Sequence, residues 1–309
     1  MNTQTAITTM TNIQPVIEMV INSLTSKHSR RAYEQALTDF LTWWEAEGKP
    51  PLVKATVQQY KTDELEKKGL APSTINLRIS AIRKLASEAA DNGFMPQEQA
   101  NGISRIKGVK TSGVRSGNWL NRVQAQALLD APNTSKFKGI RDLAILAVIL
   151  GAGLRRSEVA SLTFDKIQQR EGRWVLIDIM GKGNRVRTVP LPSWAKVAID
   201  EWAEAASLTG GYIFRPLNKG GKITGDHVTS QLVYRVVDEY ASKLGYSNLA
   251  AHDLRRTFAK LAHKGGAGVD QIQLTLGHAS LKTTERYLGV EQNLTDAPCD
   301  RLGLDLSED

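Results

Sequence analysis

Cysteine is nearly absent from this chain. The 309 residues contain a single one, Cys299, so neither an intramolecular disulfide nor a cysteine-based metal site can form. That usage fits a reducing cytoplasm. Long apolar runs are missing too. None approaches the roughly eighteen residues that a membrane-spanning helix needs, and the longest, residues 143–150, reads as a buried helix. No membrane association is expected. Residues 1–12 are Thr-rich and uncharged, with no basic stretch ahead of an apolar one; they do not read as a secretory signal, and a disordered tail is the expectation. There is no internal repeat, no low-complexity segment and no carboxylate cluster with the character of Mg²⁺ ligands. Acidic residues are outnumbered, 32 Asp and Glu against 40 Lys and Arg, and the net charge of +8 points to a polyanionic partner such as nucleic acid. With 41% hydrophobic residues the chain can fill real cores, and its length suggests two domains.

Residues 13–106 read as entirely helical. Helices are expected over 13–24, 27–48, 53–68 and 72–88, the second with Tyr33, Ala36, Leu37, Phe40, Leu41 and Trp44 on one face. Ser73 is a natural N-cap for the fourth, which turns Ile75, Ile79, Ile82, Leu85 and Ala89 inward. Trp43 and Trp44 read as core and rim. The other faces of the second and fourth helices carry Lys27, Arg30, Arg31, Arg78, Arg83 and Lys84, which suit either a solvated face or phosphate contact. Residues 107–118 form a Gly/Ser-rich linker whose only charged residues are Lys107, Lys110 and Arg115; its basicity suggests that it follows a phosphate backbone. Residues 119–290 form a second domain. Helices are expected over 121–129, 139–150 (ending at Gly151-Ala-Gly153), 156–162, 193–206, 226–244, 252–264, 269–276 and 280–289. Two β-runs, 173–180 and 185–191, are joined through Gly181-Lys182-Gly-Asn184 as a hairpin. A tail, residues 291–309, follows. The fold class is therefore mainly α with two domains: a four-to-five-helix N-terminal domain and a mostly helical α/β domain with a small hairpin sheet.

The chemistry is concentrated in a few polar residues of the second domain. Gly153-Leu-Arg155-Arg-Ser-Glu158 places an arginine just after a glycine break, at a helix start. Lys182 sits at the hairpin tip. His252 and Arg255 are three apart and share a helix face. His278 follows a glycine, and Tyr287 comes nine residues later. A tyrosine hydroxyl, with a pKa near ~10, is a poor nucleophile at neutral pH. It becomes useful where cations or hydrogen-bond donors stabilise the phenolate and the charge it attacks. Singly, each residue has an ordinary explanation: a surface arginine, a hairpin-tip lysine, a capping histidine, a packed ring, an amphipathic tyrosine.

Their order resembles the tyrosine site-specific recombinases, the integrase family. The motifs are G-L-R-x-S-E, a lysine in a β-turn, H-x-x-R, L-G-H and a late R-Y, and the resemblance covers nearly the whole chain. It implies that residues 13–106 are a core-type DNA-binding domain and residues 119–290 the catalytic domain. In the chemistry it implies, Arg155 and Arg255 clamp the non-bridging phosphate oxygens, His278 adds a hydrogen bond, and Glu158 supports Arg155. Tyr287 attacks phosphorus to hold a 3′-phosphate, His252 accepts or relays its proton, and Lys182 protonates the departing 5′-oxygen. No metal, ATP or other cofactor is implied. The partners implied are double-stranded DNA core sites gripped by both domains, three further protomers in a homotetrameric synaptic complex, and an accessory DNA-bending protein in some members. The expected setting is the cytoplasm, at the nucleoid, as a resolvase or a smaller mobile-element integrase, since residues 1–12 are too few for an arm-site domain. Leu294, Leu302, Leu304 and Leu306 of the tail suit packing in cis or docking on a neighbouring protomer. Two other classes remain open here: a monomeric type IB topoisomerase-like enzyme and a non-enzymatic DNA-binding protein on the same scaffold.

Overall fold

A computed structural model describes residues 13–110, 118–181, 185–278 and 280–288, apart from the side chains of 286 and 287. The chain divides into two compact units, residues 1–114 and 115–309. Among the described residues no helix is long and apolar enough to cross a membrane. The mainly helical architecture with one small sheet agrees with the sequence reading.

The first unit holds α1 (Gln14–Asn22), α2 (Lys27–Ala46), α3 (Lys54–Gln59), α4 (Pro72–Asp91) and α5 (Gln97–Ser104). Its core gathers Leu37, Phe40, Trp44, Tyr60, Ile79, Ile82, Leu85, Ile103 and Ile106, all buried. Three details depart from expectation. The third helix is not uniform, because α3 passes at Tyr60 into a π-helical stretch, Tyr60–Glu66. Bonds of the i→i+5 kind bring residues five apart onto one side, and Tyr60 and Leu65 are both fully buried. Tyr60 then packs edge-on to Phe40, ring centroids 5.0 Å apart. At α4, Ala71 is the N-cap and Pro72 opens the helix, with no side-chain cap; proline's fixed φ sets the start, and Ser73 lies inside. The helix α5 is the fifth that a four-to-five-helix domain allows, at a position the sequence reading does not give; Ala100 and Ile103 bury its apolar side in the core.

The second unit begins with α6 (Arg122–Asp130), capped by Asn121 in a reciprocal box with Gln124. The central helix, α7 (Phe137–Ala152), runs through Gly151 and stops at Gly153, whose left-handed backbone (φ +61°) ends it. Residues Ala144–Ile149 are all at most 1% exposed, so α7 is surrounded on every side. Next come α8 (Arg156–Ala160), β1 (Ile167–Arg170), β2 (Arg173–Met180) and β3 (Val186–Pro190). The sheet is antiparallel in the order β1-β2-β3, with Leu176 opposite both Ile167 and Val189. The strand β1 is an addition to the expected hairpin. It lacks strong alternation, but Glu171 and Gly172 both take positive φ (+50° and +75°), the geometry of a two-residue I′ hairpin turn. The helices α9 (Ser193–Ala205), α10 (Ser230–Lys243), α11 (Ala251–Lys264), α12 (Val269–Leu276) and α13 (Leu281–Leu288) complete the unit. The start of α10 falls after residue 226 because the Thr229 hydroxyl accepts from the Leu232 N–H, 3.1 Å away, and caps it there.

The end of α7 is pressed against α11 and α12. A methyl group on Gly153 would lie 2.6 Å from Phe258 Cδ1 and 3.1 Å from Leu276 Cδ2. Gly153→Ala should therefore lose about 2–4 kcal/mol of unfolding free energy, from left-handed strain and overpacking together. Gly245→Ala has the same backbone sign (φ +73°) and open space around it, so it should lose only about 1–2 kcal/mol. Denaturant melts of the two variants check this, and equal losses would show that the contact with α11 and α12 carries no cost.

Candidate active site

The site starts from the glycine break. Gly153 reverses the chain, Leu154 is buried behind it, and Arg155 becomes the residue before α8. Glu158, one turn on, returns its carboxylate to the Arg155 backbone N–H (2.8 Å) and to Arg155 Nη1 (2.7 Å). Its side chain is 4% exposed. Arg187 reaches it from β3 with a bidentate pair, Nη1 to Oε1 at 3.0 Å and Nη2 to Oε2 at 2.8 Å. Arg255 of α11 brings a third guanidinium, Nη1 lying 3.9 Å from Oε2. Among these four residues positive charge is in excess. Burial works against the charge of Glu158, but the hydrogen bonds from Arg187 and from the Arg155 N–H outweigh it and hold the carboxyl below its usual range.

Arg255 is fully buried. Its Nη1 donates to the Gly153 carbonyl at 2.7 Å and its Nη2 to the Leu276 carbonyl. These oxygens lie at the C-terminal ends of α7 and α12, where unsatisfied carbonyls and the helix dipole favour a cation. His252 lies one turn before Arg255 on α11, open to solvent on one side. Crowding on its other side and the neighbouring Arg255 and Arg256 push its pKa down. His278 follows Gly277, whose positive φ (+62°) ends α12. Its Nδ1 lies 3.0 Å from Thr284 Oγ1 on α13. Burial, then the charges of Arg255 and Arg155, lower its pKa to about 4. Both imidazoles are therefore neutral at pH 7.

Tyr287 falls on α13, which packs on α12 and α11; Leu288 joins Ala259, Ile272 and Leu276 in a small apolar cluster. The Tyr287 side chain and Lys182 lie outside the described residues. Gly181, beside Lys182, closes the hairpin by donating to the Arg185 carbonyl at 2.8 Å. A methyl group there would lie 3.4 Å from Arg155 Nη1 and 3.3 Å from Arg187 Nη1, so the end of β2 lies against both guanidiniums. Arg155, Glu158, Arg255 and His278 are thus gathered into one constellation. Arg187 belongs to it as well and was missed. The only signal for it was a second arginine, two residues after Arg185, in an otherwise β-branched run. Among the described residues no group of three or more His, Cys, Asp or Glu could hold a metal ion.

The basic residues of the first unit and linker are less uniform than expected. Lys27, Arg30, Arg31, Lys107 and Lys110 are exposed. Arg78, expected to face outward, is half-buried. It pairs with Asp39 at 2.6 Å and meets the Tyr60 hydroxyl at 3.3 Å, because α2 and α4 pack with Asp39 between them. Lys84, also half-buried, pairs with Glu88 at 2.7 Å. Arg83 keeps a buried Nε with no partner among the described residues. Arg115, residues 1–12 and the tail leucines lie outside the described residues.

Comparison with known proteins bears on this geometry. The phage integrase family model matches residues 118–293, and the phage integrase N-terminal SAM-like domain model matches residues 18–93. The tyrosine recombinase XerC of Thermodesulfovibrio yellowstonii is 31% identical over 297 residues, covering 91% of this chain and 94% of the relative. That of Pelobacter propionicus is 38% identical over 168 residues, covering 54% of this chain and 53% of the relative. In fold, the chain is similar to the XerH site-specific recombinase bound to palindromic difH substrate (TM-score 0.68, 19% identity, 90% of this chain and 80% of that one). It is also similar to a lambda integrase dimer bound to a COC′ core site (TM-score 0.66, 14% identity, 96% of this chain and 79% of that one). With a catalytic-domain match over more than half its length and a relative aligned almost end to end, the chain belongs to the phage integrase family of tyrosine recombinases.

Proposed function

We propose that this enzyme cleaves and rejoins duplex DNA at specific core sites through a 3′-phosphotyrosine on Tyr287, with strand exchange through a four-way junction and with neither metal nor ATP. The observation that carries this reading is the buried Glu158 carboxylate, ringed by Arg155, Arg187 and Arg255 beside two neutral histidines. In attack on phosphorus the Tyr287 Oη–P bond forms as the P–O5′ bond breaks. Charge grows on the non-bridging oxygens, which the planar guanidiniums of Arg155 and Arg255 stabilise. For His278 to donate to phosphate its proton must sit on Nε2, and the contact of Nδ1 with Thr284 Oγ1 suits that tautomer, since Nδ1 can then accept from the hydroxyl. Neutral His252 takes the phenol proton, and Lys182 gives one to the 5′-oxygen. The tyrosyl ester retains most of the bond's free energy, so a 5′-hydroxyl from the partner duplex reverses the step.

Duplex DNA is the partner. The XerH and lambda integrase structures similar in fold are DNA complexes, and exposed Lys27, Arg30, Arg31, Lys107 and Lys110 suit phosphate contact, with Arg83 and Arg115 as further candidates. Exchanging strands between two duplexes takes four protomers, so the synaptic complex is a homotetramer.

The nucleophile is tested directly. Tyr287→Phe should bind site DNA and form no covalent adduct on a nicked suicide substrate; an undiminished adduct would remove Tyr287 from the role. Arg155→Ala should bind but cleave about 10²–10³-fold more slowly, because it acts on transition-state charge.

The acid is tested by chemistry. Lys182→Ala should cleave slowly on normal DNA and recover when the 5′-bridging oxygen is replaced by sulfur, since a thiol with a pKa near ~8.5 leaves without protonation. No recovery would reassign Lys182 to phosphate binding.

Acid pH gives an independent check. The histidine pKa values are lowered in the folded enzyme, so both rings stay neutral as pH falls through the ordinary histidine value. The cleavage rate should hold down to about pH 6.5 and drop only below it. An acid limb centred above that value would take His252 out of the base role.

A further inference from the structure

Arg187 has no role in the chemistry above, yet all three of its guanidinium nitrogens make directed contacts in the site. Two nitrogens hold the two oxygens of Glu158, and the third, Nε, donates to the Thr275 carbonyl at 2.8 Å. All three nitrogens share one guanidinium plane, an arrangement no other side chain can reproduce. The side chain is 8% exposed, and all three of its nitrogens are taken up by protein acceptors. On one side it fixes the carboxylate that in turn holds Arg155 by its backbone and by Nη1. On the other it fixes the last turn of α12, from which His278 emerges. There the fit is tight: a methyl group on Gly277 would lie 2.9 Å from Arg187 Cδ and 3.3 Å from its Nε. Gly277 thus combines a left-handed backbone with close approach to this one side chain, two reasons for glycine at the position before His278.

We propose that Arg187 is a positioning residue that sets the Arg155 guanidinium and the His278 ring at their working separation by tying Glu158 to the end of α12. The inference rests on the reading of this site as the DNA-cleaving one. The chemistry explains why such a tie is needed. Arg155 and His278 sit on segments that are far apart in the chain and meet around a single phosphate. Each follows a left-handed glycine, Gly153 or Gly277, where the backbone has its widest freedom. Arg255 ties the same two helix ends by its carbonyl contacts, from the interior. Arg187 ties Glu158 to the end of α12 from β3, so guanidiniums from two different elements brace the site. A displacement of about 1 Å in either clamp residue costs on the order of 10²-fold in rate.

The test is single-turnover cleavage of a suicide core-site duplex by the full chain, with binding measured separately. Arg187→Lys keeps the charge and loses the planar three-way contact. It should bind DNA like the unaltered chain and cleave about 10²-fold more slowly at saturating DNA. Glu158→Gln should show a defect of the same kind. The double variant should be no slower than the worse single one, since both act through one link. The 5′-thio substrate should not restore Arg187→Lys, because its defect lies at the non-bridging oxygens. Near-normal cleavage by Arg187→Lys would overturn the proposal, leaving Arg187 as charge alone. Independent, multiplying defects in the double variant, recovery on the thio substrate, or parallel loss of melting temperature and DNA binding in Arg187→Lys would each overturn it too. If the unaltered chain forms no covalent adduct on its site, the functional reading fails first and independently of Arg187.

Discussion

A single buried carboxylate, Glu158, is the contact on which the second unit's site depends. Removing a carboxylate from water costs several kcal/mol even after relaxation. Here that cost is offset by four directed donors, two from Arg187 and two from Arg155. The satisfied pair of oxygens keeps Glu158 ionised, and the ionised group draws β3, the α7–α8 turn and α11 to one point. Loss of Glu158 alone would leave the guanidiniums of Arg155 and Arg187 facing one another with no carboxylate between them, a costlier state than the absence of the whole set.

The same cations act in opposite senses on their neighbours. They favour the charged form of Glu158 and disfavour the charged forms of His252 and His278, which stay neutral. An anion entering this field meets positive charge from the arginines and unprotonated imidazoles able to take or share a proton. Arg255 also acts on the protein itself, since its guanidinium lies on the carbonyl ends of α7 and α12. Those helix ends would otherwise present partial negative charge to the site. Placing an arginine there reverses the sign of the local field.

Much of this was legible in the sequence because its signals are local. Helical periodicity marked the buried faces of α2 and α4, and glycine breaks marked Gly153 and Gly277. The spacing H-x-x-R put His252 and Arg255 on one turn of α11. What the sequence hid depends on distant partners. The i→i+5 stretch at Tyr60 exists because Phe40 and Trp43 are there to pack against it. Arg78 reads as a surface arginine until Asp39 of α2 is opposite it. The strand β1 has little pattern of its own and is defined by pairing with β2. Arg187 was the costliest omission, since nothing near it in sequence reveals that Glu158 and Thr275 meet at its guanidinium.

The shared carboxylate also constrains how such a chain can vary over generations. Arg155, Glu158 and Arg187 are energetically coupled, so a change at one alters what is tolerable at the others. Stepwise drift through single substitutions passes through an intermediate with a stranded buried charge. Physical coupling of this kind predicts that the three positions are inherited as a block, and that a descendant released from the need for this site would lose them together once any one had gone. In a set of diverged relatives, their joint presence or joint absence would therefore tell active lineages from retired ones better than any of the three residues read alone.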